Sequence, residues 1–205
     1  MRYSMKISTP VALVNLTLFL LSMVEVSAGV CEMAPKQDLK ELQTGFHGLY
    51  ANGAWGYSVV VPDGFTGKND SAGPQHGFGL SLGEQGNIYI NGEANSLEFE
   101  APADAAIKEL ESLRLDKKKI ETATITQSHL GQLRASQLVV TYTCPGSAKR
   151  HILVSIYAIG PGSSPVYEVT LDTISSHYKE HRVILDRILK SWRYSGYGAG
   201  TRVSQ

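Results

Sequence analysis

Cysteine is nearly absent: the 205-residue chain has two, Cys31 and Cys144. With no third thiol and no Cys-x-x-Cys, a zinc ribbon, a dithiol redox centre and a disulfide-dense scaffold are excluded. A charge of one sign is absent too. Basic and acidic residues number 19 each, for a formal net charge of zero. Phosphate neutralisation needs clustered Lys and Arg, so no nucleic-acid partner is expected. The one basic run, Lys117-Lys118-Lys119, reads as a solvated helix end. No long hydrophobic run is present either: Val11 to Val24 spans roughly 14 residues, against about 20 for a membrane helix. Internal repeats and an interior linker are also lacking, which leaves a single domain.

What is present begins with a leader. Arg2 and Lys6 form a positive n-region, Val11 to Val24 an apolar h-region, and Val26-Ser27-Ala28 a small-residue cleavage site. Residues 1–28 are therefore expected to be a signal peptide and 29–45 an extension ahead of the domain. The alternative is an uncleaved anchor. Val30 before Cys31 does not suit a lipid-anchored cysteine. The expected location is secreted or periplasmic, with no stable membrane span after cleavage. In an oxidising compartment Cys31 and Cys144 are expected to pair, closing a long loop that chain entropy values at about 4–5 kcal/mol. Two free thiols are the other reading.

The remainder alternates turns with β-rich runs. Phe46 to Tyr50 and Tyr57 to Val61 read as a hairpin around Asn52-Gly53. His76 to Leu82 is a strand with Phe78, Leu80 and Leu82 on one face and Gly77, Gly79 and Ser81 on the other. Its glycine face is expected to lie under a helix. Asn87 to Ile90 follows. A helix begins near Pro102, with Ala103, Ala106, Ile107, Leu110 and Leu113 on one side. Four strands follow over Ile120–Ser128, Leu133–Cys144, Arg150–Ile159 and Pro165–Thr173. A helix then runs from Ser176 to Trp192, its stripe built of His177, His181, Ile184, Leu185, Ile188 and Trp192. Residues 194–205 read as a flexible tail. The fold class is α+β: an antiparallel sheet flanked by helices, an α/β/α sandwich.

Motifs that carry chemistry are few. His177-Tyr178-Lys179-Glu180-His181 fits His-x-x-Glu-His, in which two histidines share zinc and the glutamate acts as base. A catalytic zinc needs a third protein ligand, and no Asp or Glu follows Asp186. Both histidines also fall on the apolar stripe, where neutral buried rings serve equally well. Glu93, Glu98, Glu100 and Asp104 read as a solvated loop, since no spacing fixes two on one rigid element. Ser163-Ser164 lacks a nucleophile elbow. Tyr50, Trp55, Tyr57 and Phe65 around the opening hairpin, and Trp192 with Tyr194 at the end of the last helix, form an aromatic group that either plugs the ends of the core or offers a contact surface.

Three segments carry a family resemblance: Gly56-Tyr57-Ser58-Val59-Val60-Val61-Pro62-Asp63-Gly64-Phe65, Leu130 to Ala135, and Tyr167-Glu168-Val169-Thr170-Leu171 leading to Ile188-Leu189-Lys190-Ser191-Trp192. Together they resemble the PsbP-like fold across residues 46–193. Members of that fold usually act as binding or scaffold subunits, which implies a non-enzymatic role without catalytic residues, metal or cofactor. The expected partner is a protein of the cell envelope. Two alternatives stay open: a metal-dependent hydrolase using His177, Glu180 and His181, and a periplasmic immunity-like protein.

Overall fold

The computed structural model describes residues 45–69, 76–163 and 165–196. The expected leader, Cys31, the extension up to residue 44 and the tail beyond 196 lie outside the described residues.

Element order is β1 (Gly45–Phe46), β2 (Gly48–Asn52), β3 (Tyr57–Val61), β4 (Gly67–Asn69), β5 (Gly77–Ser81), β6 (Gly86–Ala94), α1 (Pro102–Leu115) and β7 (Lys119–Leu130). Then come β8 (Leu133–Thr143), β9 (Arg150–Ile159), β10 (Pro165–Ile174), α2 (Tyr178–Ser191) and β11 (Arg193–Tyr194). Eight strands form one sheet in the order β1-β4-β5-β6-β10-β9-β8-β7, and β11-β3-β2 form a second. Every strand pairing is antiparallel. The meander β7 to β10 folds back on itself and sets β10 against β6, so the two halves of the large sheet join there.

β10 is buried on both faces, and its alternation divides the molecule. Tyr167, Val169 and Leu171 enter the larger core with Ile88, Ile90, Val154, Ile156, Leu185, Ile188 and Trp192. Val59 and Val61 of β3 close that core, so α2 and the small sheet form one layer. Through the opposite face, α1 lies over β7, β8 and β9 and buries Ala105, Ala106 and Leu113 against Leu138, Val140, Tyr142 and Leu153. The result is the expected α+β sandwich.

Several local readings change. The first expected strand is two: β1 pairs with β4 in the large sheet, β2 with β3 in the small one. Between them Gly48 takes φ +71°, a left-handed conformation that suits glycine and lets the chain change sheets. Asn52 ends β2 instead of forming the turn, because its side chain bridges the loop. Its Oδ1 accepts from the Trp55 amide (3.0 Å) and its Nδ2 donates to the Tyr50 hydroxyl (3.2 Å). Ile107 turns outward, 47% exposed, while Ala105 takes the buried position. Lys118 is buried, not solvated, with its ammonium 5.1 Å from the Tyr142 ring centre. Tyr194, read as the start of the tail, ends β11 opposite Tyr57, and the Ser195 amide donates to Gly56 O (2.8 Å).

The aromatic group plugs the core. Trp192 is fully buried, stacked 6.1 Å from Tyr57 and edge-on 5.3 Å from Tyr167. Trp55, Tyr50 and Phe65 pack as partly buried residues at its margin. Because Trp192 touches the small sheet and β10 at once, Trp192→Ala should cost about 3–5 kcal/mol in urea unfolding. A loss below about 1 kcal/mol would mean that the two layers are held elsewhere.

Candidate functional site

Two places gather polar chemistry. The first is the start of α2. A 3-10 turn, Ser175–His177, leads into the helix and sets His177, Glu180 and His181 on one face. One ligand atom from each lies within 4.8 Å of the others. His177 Nδ1 is 3.7 Å from Glu180 Oε2, and the two imidazoles stack with centres 5.7 Å apart. His181 is buried, as its stripe position implied, whereas His177 is half-buried and Glu180 exposed. Thr173 Oγ1 lies 2.6 Å from His181 Nδ1 and donates its proton to Gln85 O (3.0 Å). A hydroxyl has one proton, so His181 Nδ1–H is the donor to Thr173 and Nε2 keeps its lone pair. Burial lowers the His181 pKa below its ordinary value, which favours that neutral ring. His181 and Glu180 border a cleft of about 400 Å³ with Lys68, Ser81 and Gln85.

The second place is the outer face of the large sheet. Its rows run across the strands. Gly77, Asn91, Glu168, Tyr157 and Ser136 form one; Gly79, Tyr89, Thr170, Ser155 and Leu138 form the next; Ser81, Asn87, Asp172, Leu153 and Val140 form a third. Beneath α1 the rows carry Leu138, Val140, Leu153 and Tyr157 with two small serines, Ser136 and Ser155, and at β10 they turn wholly polar with Glu168, Thr170 and Asp172. The seam is hydrogen-bonded. Glu168 accepts from Thr170 Oγ1 (2.6 Å) and Tyr157 OH (3.3 Å), and Tyr142 OH donates to Asp172 Oδ2 (2.7 Å). His151 Nδ1 sits 3.4 Å from Asp172 Oδ1. Beyond the seam, among the described residues, no helix packs on the face over β6 and β5. Tyr89 is 41% exposed, Glu93 is exposed, and the buried Asn91 Oδ1 has no hydrogen-bond partner among the described residues.

The glycine face of β5 was expected beneath a helix. What lies on it is the Tyr89 ring: a Cβ on Gly79 would stand 3.3 Å from Tyr89 Cε1, directly across the strand pair. Glycine leaves room for the ring to lie flat on the sheet.

Of the acidic residues read as loop, Asp104 is structural: its carboxylate accepts from the Ala101 amide (2.8 Å) and the Glu100 amide (3.1 Å), fixing the start of α1. Sequence reasoning missed the seam. Its signal was available in the alternation Glu168, Thr170, Asp172 between Tyr167, Val169 and Leu171. A strand with polar residues at every second position predicts a polar face. Lys118 gave no such signal within its basic run.

No protein-family model matches the sequence, and none of the curated proteins compared matches it. Solved structures do match in fold. LpqN of Mycobacterium tuberculosis, described as involved in cell envelope biogenesis, is 16% identical with a TM-score of 0.52, covering 75% of this chain and 91% of that one. The Saccharomyces cerevisiae Ran-binding protein Mog1p is 10% identical with a TM-score of 0.50, covering 75% and 96%. Cyanobacterial PsbP (CyanoP) from Synechocystis sp. PCC 6803 is 11% identical with a TM-score of 0.47, covering 79% and 98%. The chain has the PsbP-like fold. Among the described residues no helix is long and apolar enough to cross a membrane.

Burial, reinforced by the nearby Glu168, pushes the α1 carboxyl of Glu109 up to about 7 from 4.5; Lys118 opposes the shift. The folded protein then holds a proton that the unfolded chain releases. This contribution to stability is complete below pH 4.5 and is lost as pH rises through about 7. Glu109→Gln should flatten that decline by on the order of 2 kcal/mol, read from denaturant unfolding at successive pH values. An unchanged slope would place the proton elsewhere.

Proposed function

We propose that this chain is an exported, non-enzymatic binding protein of the cell envelope, and that it engages a protein partner through the open face of β5 and β6. The observation that carries the reading is the position of α1. The helix packs on β7 to β9, and on the neighbouring strands Tyr89 and Glu93 are exposed beside the half-buried Asn91, with Gly79 across from Tyr89. A semi-exposed tyrosine beside polar groups is the residue type that anchors protein interfaces. Glu168 at the seam and Glu93 at the rim suit a partner that presents a basic side chain. The fold neighbours support a binding role by analogy: one is described as involved in envelope biogenesis, another as Ran-binding.

Export follows from the leader pattern over residues 1–28, and the domain it delivers spans 46–193 in this reading. Cys144 lies buried just past the end of β8, and its pairing with Cys31 would tie the mature N-terminus to the sheet. Non-reducing peptide mapping of protein recovered from the native envelope should yield a linked Cys31–Cys144 peptide and an N-terminus at Gly29. Two alkylatable thiols, or an intact leader, would remove that part of the reading.

A photo-crosslinking residue placed at Tyr89 should capture one discrete envelope protein in cells. The same residue at Arg187, on the exposed side of α2, should not. Equal capture at both positions, or capture at Arg187 alone, would displace the proposed face.

A further inference from the structure

The start of α2 is a second feature, independent of the sheet face. We propose that His177, Glu180 and His181 form a binding site for one divalent transition-metal ion of the zinc class. Two imidazoles and a carboxylate at positions i, i+4 and i+3 are the donor set that zinc takes. Metal–ligand bonds of about 2.1 Å at the tetrahedral angle place ligand atoms about 3.4 Å apart. His177 Nδ1 and Glu180 Oε2 already stand 3.7 Å apart, and the whole set lies within 4.8 Å. The remaining closure falls to the exposed Glu180 and the half-buried His177.

The buried member is held for the task. His181 donates through Nδ1 to Thr173 Oγ1 at 2.6 Å, and Thr173 is fixed in turn by Gln85 O at 3.0 Å. A metal-bound histidine characteristically donates its other ring nitrogen to such a partner, which sets the tautomer and the ring orientation. The two rings stack 23° from parallel with centres 5.7 Å apart. Three protein donors leave a fourth position, and the neighbouring cleft of about 400 Å³ gives water or an oxygen ligand access to it. A hard cation is disfavoured, since magnesium and calcium take oxygen donors.

Calorimetric titration of the purified mature protein with Zn²⁺ tests the site, with Mg²⁺ as the contrasting ion. One Zn²⁺ should bind per chain. His177→Ala should weaken it at least tenfold and Glu180→Gln several-fold, while Mg²⁺ produces no saturable heat. Neither variant removes a buried side chain, and far-ultraviolet circular dichroism should confirm unchanged folds. Absence of stoichiometric Zn²⁺ binding to the wild type, or equal affinity in wild type and both variants, would overturn the proposal.

Discussion

The structure depends on one strand being buried from both sides. β10 joins β6 to the β7–β9 meander, so every row of side chains across the large sheet passes through it. On one side Tyr167, Val169 and Leu171 lie in the larger core beneath α2 and the small sheet. On the other, Glu168, Thr170 and Asp172 occupy the boundary between helix-covered and open sheet. Buried polar groups must find partners. Here Tyr142, Tyr157 and Ser155 supply them, and all three project from the strands that α1 covers. Hydroxyl groups among the helix-covered strands thus satisfy the polar seam of β10.

This arrangement separates the core from the face proposed for recognition. The inner core holds the large aromatic residues, with Trp192 against Tyr57 and Tyr167, and fastens the C-terminal helix to the opening hairpin. The outer face of β5 and β6 contributes little apolar burial. Its glycines and its half-exposed Tyr89 leave a surface that can change without loss of the core. The cluster at the start of α2 sits apart from both, in the layer of the small sheet and beside its own cleft.

Much of the fold was legible because its signals are local. The alternation of Phe78, Leu80 and Leu82 placed β5 correctly, and the turn residues after Leu130, Cys144 and Ile159 separated the meander strands. The spacing of Ala106, Leu110 and Leu113 marked the buried side of α1. What was not legible depends on distant partners. Nothing near Gly48 says that the chain leaves one sheet for another there. Lys118 follows a helix in a basic run, and only the tertiary approach of Tyr142 makes it a buried residue. The glycine face of β5 correctly implied close approach, but the neighbour is a tyrosine across the strand pair and not a helix. For the α2 cluster the motif was visible at once. Thr173 and Gln85, which fix the His181 tautomer, lie eight and 96 residues away along the chain and carry no sequence mark.

The proposed function requires the β5–β6 face to recognise a partner while contributing little to folding. Glu93→Lys tests it most directly, because Glu93 is exposed at the rim of that face. The variant should unfold within about 0.5 kcal/mol of the wild type, as surface changes do, and should lose retention of the envelope protein that the wild type holds. A variant that retains that protein unchanged while losing stability would contradict the account.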